Sequence, residues 1–194
     1  KKHTLYCDTM LVSQKNDFIK AWSKNKILIQ DTSNLKIQSK QIFFFKYDSI
    51  INFKNEVLCV KDQKKIYTND LTYNLKEKIT YYKNGGKMED GEVILNSKKG
   101  KYEIKTQNAN FSENVNLVST EYSISSENIN FNTSEEKIIF NERTEIIKDS
   151  LKITGDYGFY NEKIDYLELL GNVIVQKNEK INIFSNKLID NNIL

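Results

Sequence analysis

The chain has one histidine, His3, and any Ser-His-Asp or Cys-His nucleophile would depend on it. It falls two residues before Leu5, in a slot that strand alternation turns inward, so it reads as structural. Metal sites need clustered His, Cys or carboxylates, and no such cluster is visible. Asp17, Asp31, Asp90 and Asp149 stand in apparent turns, as aspartates usually do, and Glu135-Glu136 reads as an exposed turn. Sequence alone leaves a glycosidase-like carboxylate pair open, but no acid recurs in a pattern that would line a groove. Gly85-Gly86-Lys87 has no strand-to-helix context and does not make a phosphate loop. The two cysteines, Cys7 and Cys59, occupy inward positions, which suits small apolar residues; a disulfide between them stays open. The expectation is therefore a non-enzymatic chain with no cofactor and no metal.

The elements that would position these residues are set by a repeat. Leu5, Ile37, Ile66, Leu95, Ile124, Ile153 and Ile183 open seven copies, spaced by 29 residues in four of six steps, 32 in the first and 30 in the last. A unit this short cannot bury its own apolar face and must stack on its neighbours. The third position is small (Cys7, Ser39, Thr68, Ser97, Ser126, Gly155, Ser185) and the eighth mostly aromatic (Phe44, Tyr73, Tyr102, Phe131, Tyr160). A second element carries Ala21, Phe53, Tyr82, Phe111, Phe140 and Leu169, then apolar pairs such as Val57/Cys59, Val115/Leu117 and Val173/Val175. The first unit is longer, and Ile27/Ile29 are expected to fill that slot after its insertion.

These runs alternate with period two and are rich in β-branched and aromatic residues, the pattern of strands. The parity slips after Ile37 and Ser39, so that Ile42 and Phe44 fall on the opposite phase. A one-residue slip would turn half the side chains outward, and a bulge or corner at the small third position restores them. The expected class is all-β: two facing antiparallel sheets, with each unit turning a corner between them. The unbroken repeat predicts a single domain over 1–194. Asn84-Gly85 reads as a hairpin turn.

The net charge is only +3, there is no proline, and Arg143 is the sole arginine. Lysines are scattered at outward positions, as on a solvated face that blunts sheet edges. The aromatics sit in the inward register rather than between arginines, which argues against nucleic acid as a partner. The abundance of Lys, Asn and Ile reflects an AT-rich genome. The longest apolar stretch, Ile42-Phe43-Phe44-Phe45, is too short to span a bilayer as a helix. No signal-peptide pattern is visible, which a mature or trimmed form would also show.

Thr68-Asn69-Asp70-Leu71-Thr72-Tyr73 and Ser126-Glu127-Asn128-Ile129-Asn130-Phe131 follow a pattern of small residue, acidic or amide residue, Leu/Ile and aromatic. Tyr6-Cys7-Asp8-Thr9 opens in the same way. Gly171-Asn172-Val173-Ile174-Val175, the weaker Asn114-Val115-Asn116-Leu117, and the Gly-Gly and Lys-Lys-Gly segments around Gly85 and Lys98 follow in phase. Together they resemble the OstA-like family, relatives of the lipopolysaccharide-transport protein LptA and of the N-terminal domain of LptD. Asn141-Glu142-Arg143-Thr144 departs from the glycine-rich, proline-containing turn expected there.

The resemblance implies an open antiparallel β-jellyroll in the periplasm, associated with the outer membrane. Its apolar interior would cradle lipid A acyl chains, and its open ends would add strand to strand onto other jellyroll domains or a second copy. The lipid-binding candidates are Ile37, Ile66, Leu95, Ile124 and Ile153, with Val57, Val115, Leu117, Val173 and Val175, and from the aromatic row Phe44, Tyr73 and Phe131. The partner-edge candidates are Leu5 and Met10 at one end, and Ile181, Ile183 and Leu188 at the other. The same pattern also suits a structural β-solenoid of a surface or adhesin protein with a closed core. A polysaccharide-processing β-helix enzyme would need an exposed cluster of acids or bases on neighbouring rungs, and the register supplies none.

Overall fold

The computed structural model describes residues 4–13, 15, 17–30, 35–132, 134–177 and 181–191, without the side chains of Gln30, Ile181, Asn182 and Asn191. His3 and Asp31 lie outside these residues. The strands are Thr4–Tyr6 (β1), Thr9–Ser13 (β2), Phe18–Gln30 (β3), Lys36–Phe45 (β4), Ile50–Lys61 (β5), Lys64–Asn74 (β6), Ile79–Tyr82 (β7), Gly86–Asp90 (β8) and Val93–Ser97 (β9). They continue with Lys99–Glu103 (β10), Asn108–Val118 (β11), Ser123–Asn132 (β12), Lys137–Phe140 (β13), Thr144–Lys148 (β14), Leu151–Gly155 (β15), Tyr157–Asn161 (β16), Tyr166–Lys177 (β17) and Ile181–Asn191 (β18). Every pairing is antiparallel, and one continuous ladder runs from the first strands to the last. Among the described residues a single 3₁₀ turn, Glu162–Ile164, interrupts it. No helix among the described residues is long and apolar enough to cross a membrane.

The ladder folds into a jellyroll because every rung turns a corner halfway along. Register shifts fall between Trp22 and Ile27, Gln38 and Gln41, Lys54 and Val57, Ser112 and Val115, and Leu170 and Val173. Elsewhere the rung is cut into two short strands, as in β7/β8 and β13/β14. The residues on the two sides of these breaks form two facing sheets. The corner sits beside the small third position, as the parity slip requires, but the bulged residues lie on the neighbouring strand. Asn55-Glu56, Glu113-Asn114 and Gly171-Asn172 are left-handed pairs there. Asn84-Gly85 occupies the same repeat position, with Gly85 at φ +90°. The hairpin reading of Asn84-Gly85 is thereby corrected: β7 and β8 both run antiparallel to β6, as two halves of one interrupted strand. A positive φ serves a corner as well as a hairpin, so the dipeptide could not distinguish them.

The small third residue also has a polar role. The hydroxyls of Ser39, Ser97, Ser126 and Ser185 each donate to the carbonyl two residues ahead, at 3.0, 2.9, 3.2 and 2.8 Å. Bending the strand takes backbone carbonyls off the ladder, and a buried carbonyl needs a partner. Serine supplies it locally without adding bulk.

Away from the corners the register stacks repeat positions into continuous inward rows. In one sheet the row runs from Leu5 through Ile29, Ile37, Cys59, Ile66 and Met88. It continues through Leu95, Leu117, Ile124, Ile146, Ile153 and Val175 to Ile183. Ile27 pairs with Ser39 and Ile29 with Ile37, so these two residues fill the slot expected after the insertion in the first unit. In the facing sheet the aromatic positions Phe44, Tyr73, Tyr102, Phe131 and Tyr160 alternate with Ile51, Thr80, Ala109 and Ile138. The interior these rows enclose divides into two buried clusters, one from Ala21 to Tyr82 and one from Met88 to Val173.

Candidate functional site

Between the two clusters the interior is not filled. A cavity of about 110 Å³ lies there. Cys59, Leu71, Tyr73 and Tyr82 wall it from the first cluster, and Met88, Ala109, Phe111 and Phe131 from the second. Its wall is predominantly apolar. The register explains its position. The aromatic row carries only Thr80 and Ala109 on either side of Tyr102, and the corner positions beside them are Gly86 and Gly100. Tyr82 takes part of the space so left: its ring lies where side chains on those two glycines would be, since a Cβ on either would come within 2.4 Å of it. Its hydroxyl bonds Ser97 Oγ at 2.6 Å.

All thirteen lipid-binding candidates lie on the inward rows or beside the corners, and the structure separates them. Ile66, Tyr73 and Phe131 line the cavity. Ile37, Leu95, Ile124, Ile153, Val57, Val115, Leu117 and Val173 are packed inside the two clusters. Val175 and Phe44 pack half-buried against them. The cavity residues that sequence reasoning did not nominate include Leu71, Thr80, Tyr82, Met88, Ala109 and Phe111. The repeat marks Leu71, Tyr82, Met88 and Phe111 as inward, as it does their counterparts in the packed clusters, and carries no signal that separates the two groups. Cys59 is buried at the cavity wall, and burial pushes its thiol pKa up to about 12, so it stays protonated and unreactive. Cys7 and Cys59 are both free thiols.

The side of the jellyroll away from the corners is closed differently along its length. Over the second cluster, Tyr122 and Tyr160 meet edge to face at 6.0 Å, and Tyr160 donates to Asp165 at 2.9 Å. Glu162 lies among them. Burial, then repulsion from Glu136, raises its carboxyl above the ordinary value, with Asp90 adding to the rise and Lys64 opposing it. A raised acid binds its proton more tightly in the folded chain. Stability therefore falls as pH rises from the ordinary carboxylate pKa to the raised one, and the loss is complete above it. Glu162→Gln keeps an acceptor for Tyr122 and removes the charge. We expect it to raise Tm at pH 7 by a few degrees, about 2–4 °C per kcal/mol for a chain of this size, and to flatten Tm between pH 4 and 7. Differential scanning fluorimetry across that range checks this.

The ends of the ladder are open among the described residues. β1 and β2 pair only with β3, and β18 pairs only with β17. The inward rows thus run out to unpaired edges: Met10 is 53 % exposed at one end and Ile183 57 % at the other, where Phe184 reaches 73 %. Leu5 and Leu188 are half-buried on the same terminal rungs, and Ile181 pairs with Lys177 through the backbone.

A further pattern escaped the sequence. The fourth repeat position reaches across to cap the corner of a neighbouring strand. Asp8 accepts from the Lys24 N–H at 2.9 Å, Asn69 from Glu56 N–H at 3.4 Å and Glu127 from Asn114 N–H at 3.3 Å. Asp156 accepts from Asn172 Nδ2 at 2.7 Å and pairs with Arg143 at 2.7 Å. Where lysine occupies the slot, it pairs with a corner glutamate, as Lys40 does with Glu56 and Lys98 with Glu113. Because the role passes among acid, amide and lysine, no single residue type recurs to mark it. Among the described residues no group of three or more His, Cys, Asp or Glu could hold a metal.

No curated protein matches the chain in sequence. Among solved structures, the crystal structure of LptH, the LptA-homologous periplasmic component of the conserved lipopolysaccharide transport device from Pseudomonas aeruginosa, matches at 8% identity. The match covers 69% of this chain and 77% of that one, with a TM-score of 0.30. The family model described as OstA-like protein matches residues 1–127, the stretch that holds β1 to β11, both walls of Tyr82 and most of the cavity. With that match over well more than half its length, the chain belongs to the OstA-like family.

Proposed function

We propose that the chain is a non-enzymatic lipid-transport scaffold of the periplasm, one OstA-like unit of seven repeats spanning 1–194, that holds lipopolysaccharide by its lipid A acyl chains. The observation that carries this reading is the apolar cavity left between two close-packed clusters in an OstA-like fold. An acyl segment entering it contributes about 0.8 kcal/mol per buried methylene. A volume near 110 Å³ takes a stretch of one chain rather than several whole chains. Passage along the interior would therefore require the sheets to part over the flanking clusters. The unpaired edges at β1–β2 and β18 would join further jellyroll units by strand addition and extend the bridge toward the outer membrane. Their exposed Met10, Ile183 and Phe184 are the apolar surface such a junction would cover.

A photo-crosslinking amino acid placed singly at Ile66 and Phe131 in cells tests the reading. Lipopolysaccharide adducts are expected at both and not at Lys98, which is exposed at a corner and paired outward with Glu113. Folded, expressed protein without adducts at either cavity position would favour a closed structural solenoid.

A further inference from the structure

Resting on the cavity reading above, we infer that the mouth of the cavity is a phosphate subsite, in which Lys61, Lys64 and Lys78 hold the anionic head of an amphiphile whose tail lies between the sheets. All three lysines line the cavity together with its apolar residues. Their placement follows from strand parity. Lys61 and Lys64 stand two residues from Cys59 and Ile66 on the same inward faces, at the end of the β5–β6 hairpin away from the corner. Lys78 stands two residues from Thr80 at the matching end of the facing sheet.

Their ammonium groups gather over the cavity wall. Lys64 Nζ lies 5.4 Å from the ring centre of Phe131, and Lys78 Nζ lies 5.9 Å from that of Tyr73. The charge of Lys61 reaches the buried Cys59 thiol and favours its anion. Inward lysines at an apolar opening run against the usual pattern, in which this residue turns to open solvent. Their stems can cover apolar wall while the charged ends remain wet at the rim.

Two of the three charges are not neutralised by an ion pair. Lys64 pairs with Asp90 at 2.7 Å, but Lys61 and Lys78 have no carboxylate at ion-pair distance among the described residues. Beyond Lys64 the sign reverses: Glu162, within reach of that lysine, is crowded by Glu136 and by Asp90, the carboxylate that pairs with Lys64. An anionic head is therefore attracted toward Lys61 and Lys78 and repelled on the acidic side of Lys64. A lysine is a compact cation suited to phosphate as a point charge, and two unpaired lysines beside a third at one opening favour a phosphomonoester over a neutral or zwitterionic head. The ligand class is an acyl or alkyl chain bearing a phosphate.

Titration calorimetry of the whole chain with three probes tests this: dodecyl phosphate, dodecyl maltoside and inorganic phosphate, the detergents below their micellar concentrations. Dodecyl phosphate is expected to bind about tenfold or more tighter than dodecyl maltoside, the scale of one charge-assisted contact. Lys61→Gln together with Lys78→Gln should reduce that preference, read as the ratio of the two affinities, to about parity. Both positions are partly exposed and unpaired, so folding should be little affected. Equal binding of the two detergents to the unaltered chain, or an unchanged preference in the double variant, would overturn the phosphate subsite and leave the apolar cavity standing. Binding of inorganic phosphate as tight as dodecyl phosphate would overturn the coupling of head to tail. Binding of neither detergent would overturn the cavity reading itself.

Discussion

Gly158→Ala is expected to cost roughly 3 kcal/mol or more and to unfold the sheet from β16 onward at ordinary temperature. A Cβ at this position would lie 2.0 Å from the carbonyl oxygen of Glu168 and 3.0 Å from the Cα of Leu169. Both are backbone atoms of the neighbouring strand, paired to β16 from Tyr157 to Asn161. A rotamer change cannot relieve the clash. The strands must separate, and the ladder that carries β17 and β18 separates with them. Total stabilities are only about 5–15 kcal/mol, so such a loss is a large share of what holds the chain folded. Gly91→Ala is the control. Its φ is +59°, but nothing lies within 4 Å of the added atom, so only the left-handed backbone cost of about 1 kcal/mol remains. Urea denaturation followed by circular dichroism should show a large shift for the first variant and a small one for the second. Similar midpoints would mean that β16 and β17 are not packed as described.

Ile124→Asp and Ile66→Asp should have opposite consequences, although the two residues hold the same position in the third and fifth copies of the repeat. Ile124 is 0 % exposed, paired with Leu117 on one side and Ile146 on the other. A carboxylate there has neither water nor a partner, and the expected loss is on the order of 4 kcal/mol or more. That variant should fail to accumulate as folded protein, whatever the chain carries. Ile66 is half-buried on the cavity wall, on the inward face it shares with Lys64, and Lys61 lines the same cavity. An aspartate there keeps access to water and to those cations, so the fold should survive with about 1–2 kcal/mol lost. Lipid adducts at Phe131 in this background should be reduced severalfold. Thermal melts paired with crosslinking separate the two effects. A well-folded Ile124→Asp protein would contradict the packed second cluster, and undiminished adducts in a folded Ile66→Asp protein would remove Ile66 from the lipid path.

These two isoleucines also show how far the sequence could be read. Period-two alternation and the 29-residue spacing are local and regular, and they fix which residues face inward: Ile66 and Ile124 are equivalent by every pattern in the chain. The parity slip at Ser39 and its counterparts likewise determines that each unit bends, because an unbent strand would expose half its apolar residues. The match of Ile27 and Ile29 to their slots follows from the same rule. What the repeat could not distinguish is a filled interior from an open one. That depends on the summed volume of side chains brought together from both sheets, many residues apart in sequence. Thr80, Gly86, Gly100 and Ala109 come together around Tyr82 only when β6 to β11 are stacked and folded over, and there the sum falls short by a cavity. Elsewhere Ile129, Phe140 and Leu169 make it up, and the core is closed. The inward lysines at the mouth were hidden for the same reason. Lys61, Lys64 and Lys78 look like turn residues in the linear chain, and only the meeting of two sheet ends places them over one opening. Local sequence therefore determined the strands, their faces and their corners, while the tertiary arrangement alone decided where the interior is empty and which charges surround it.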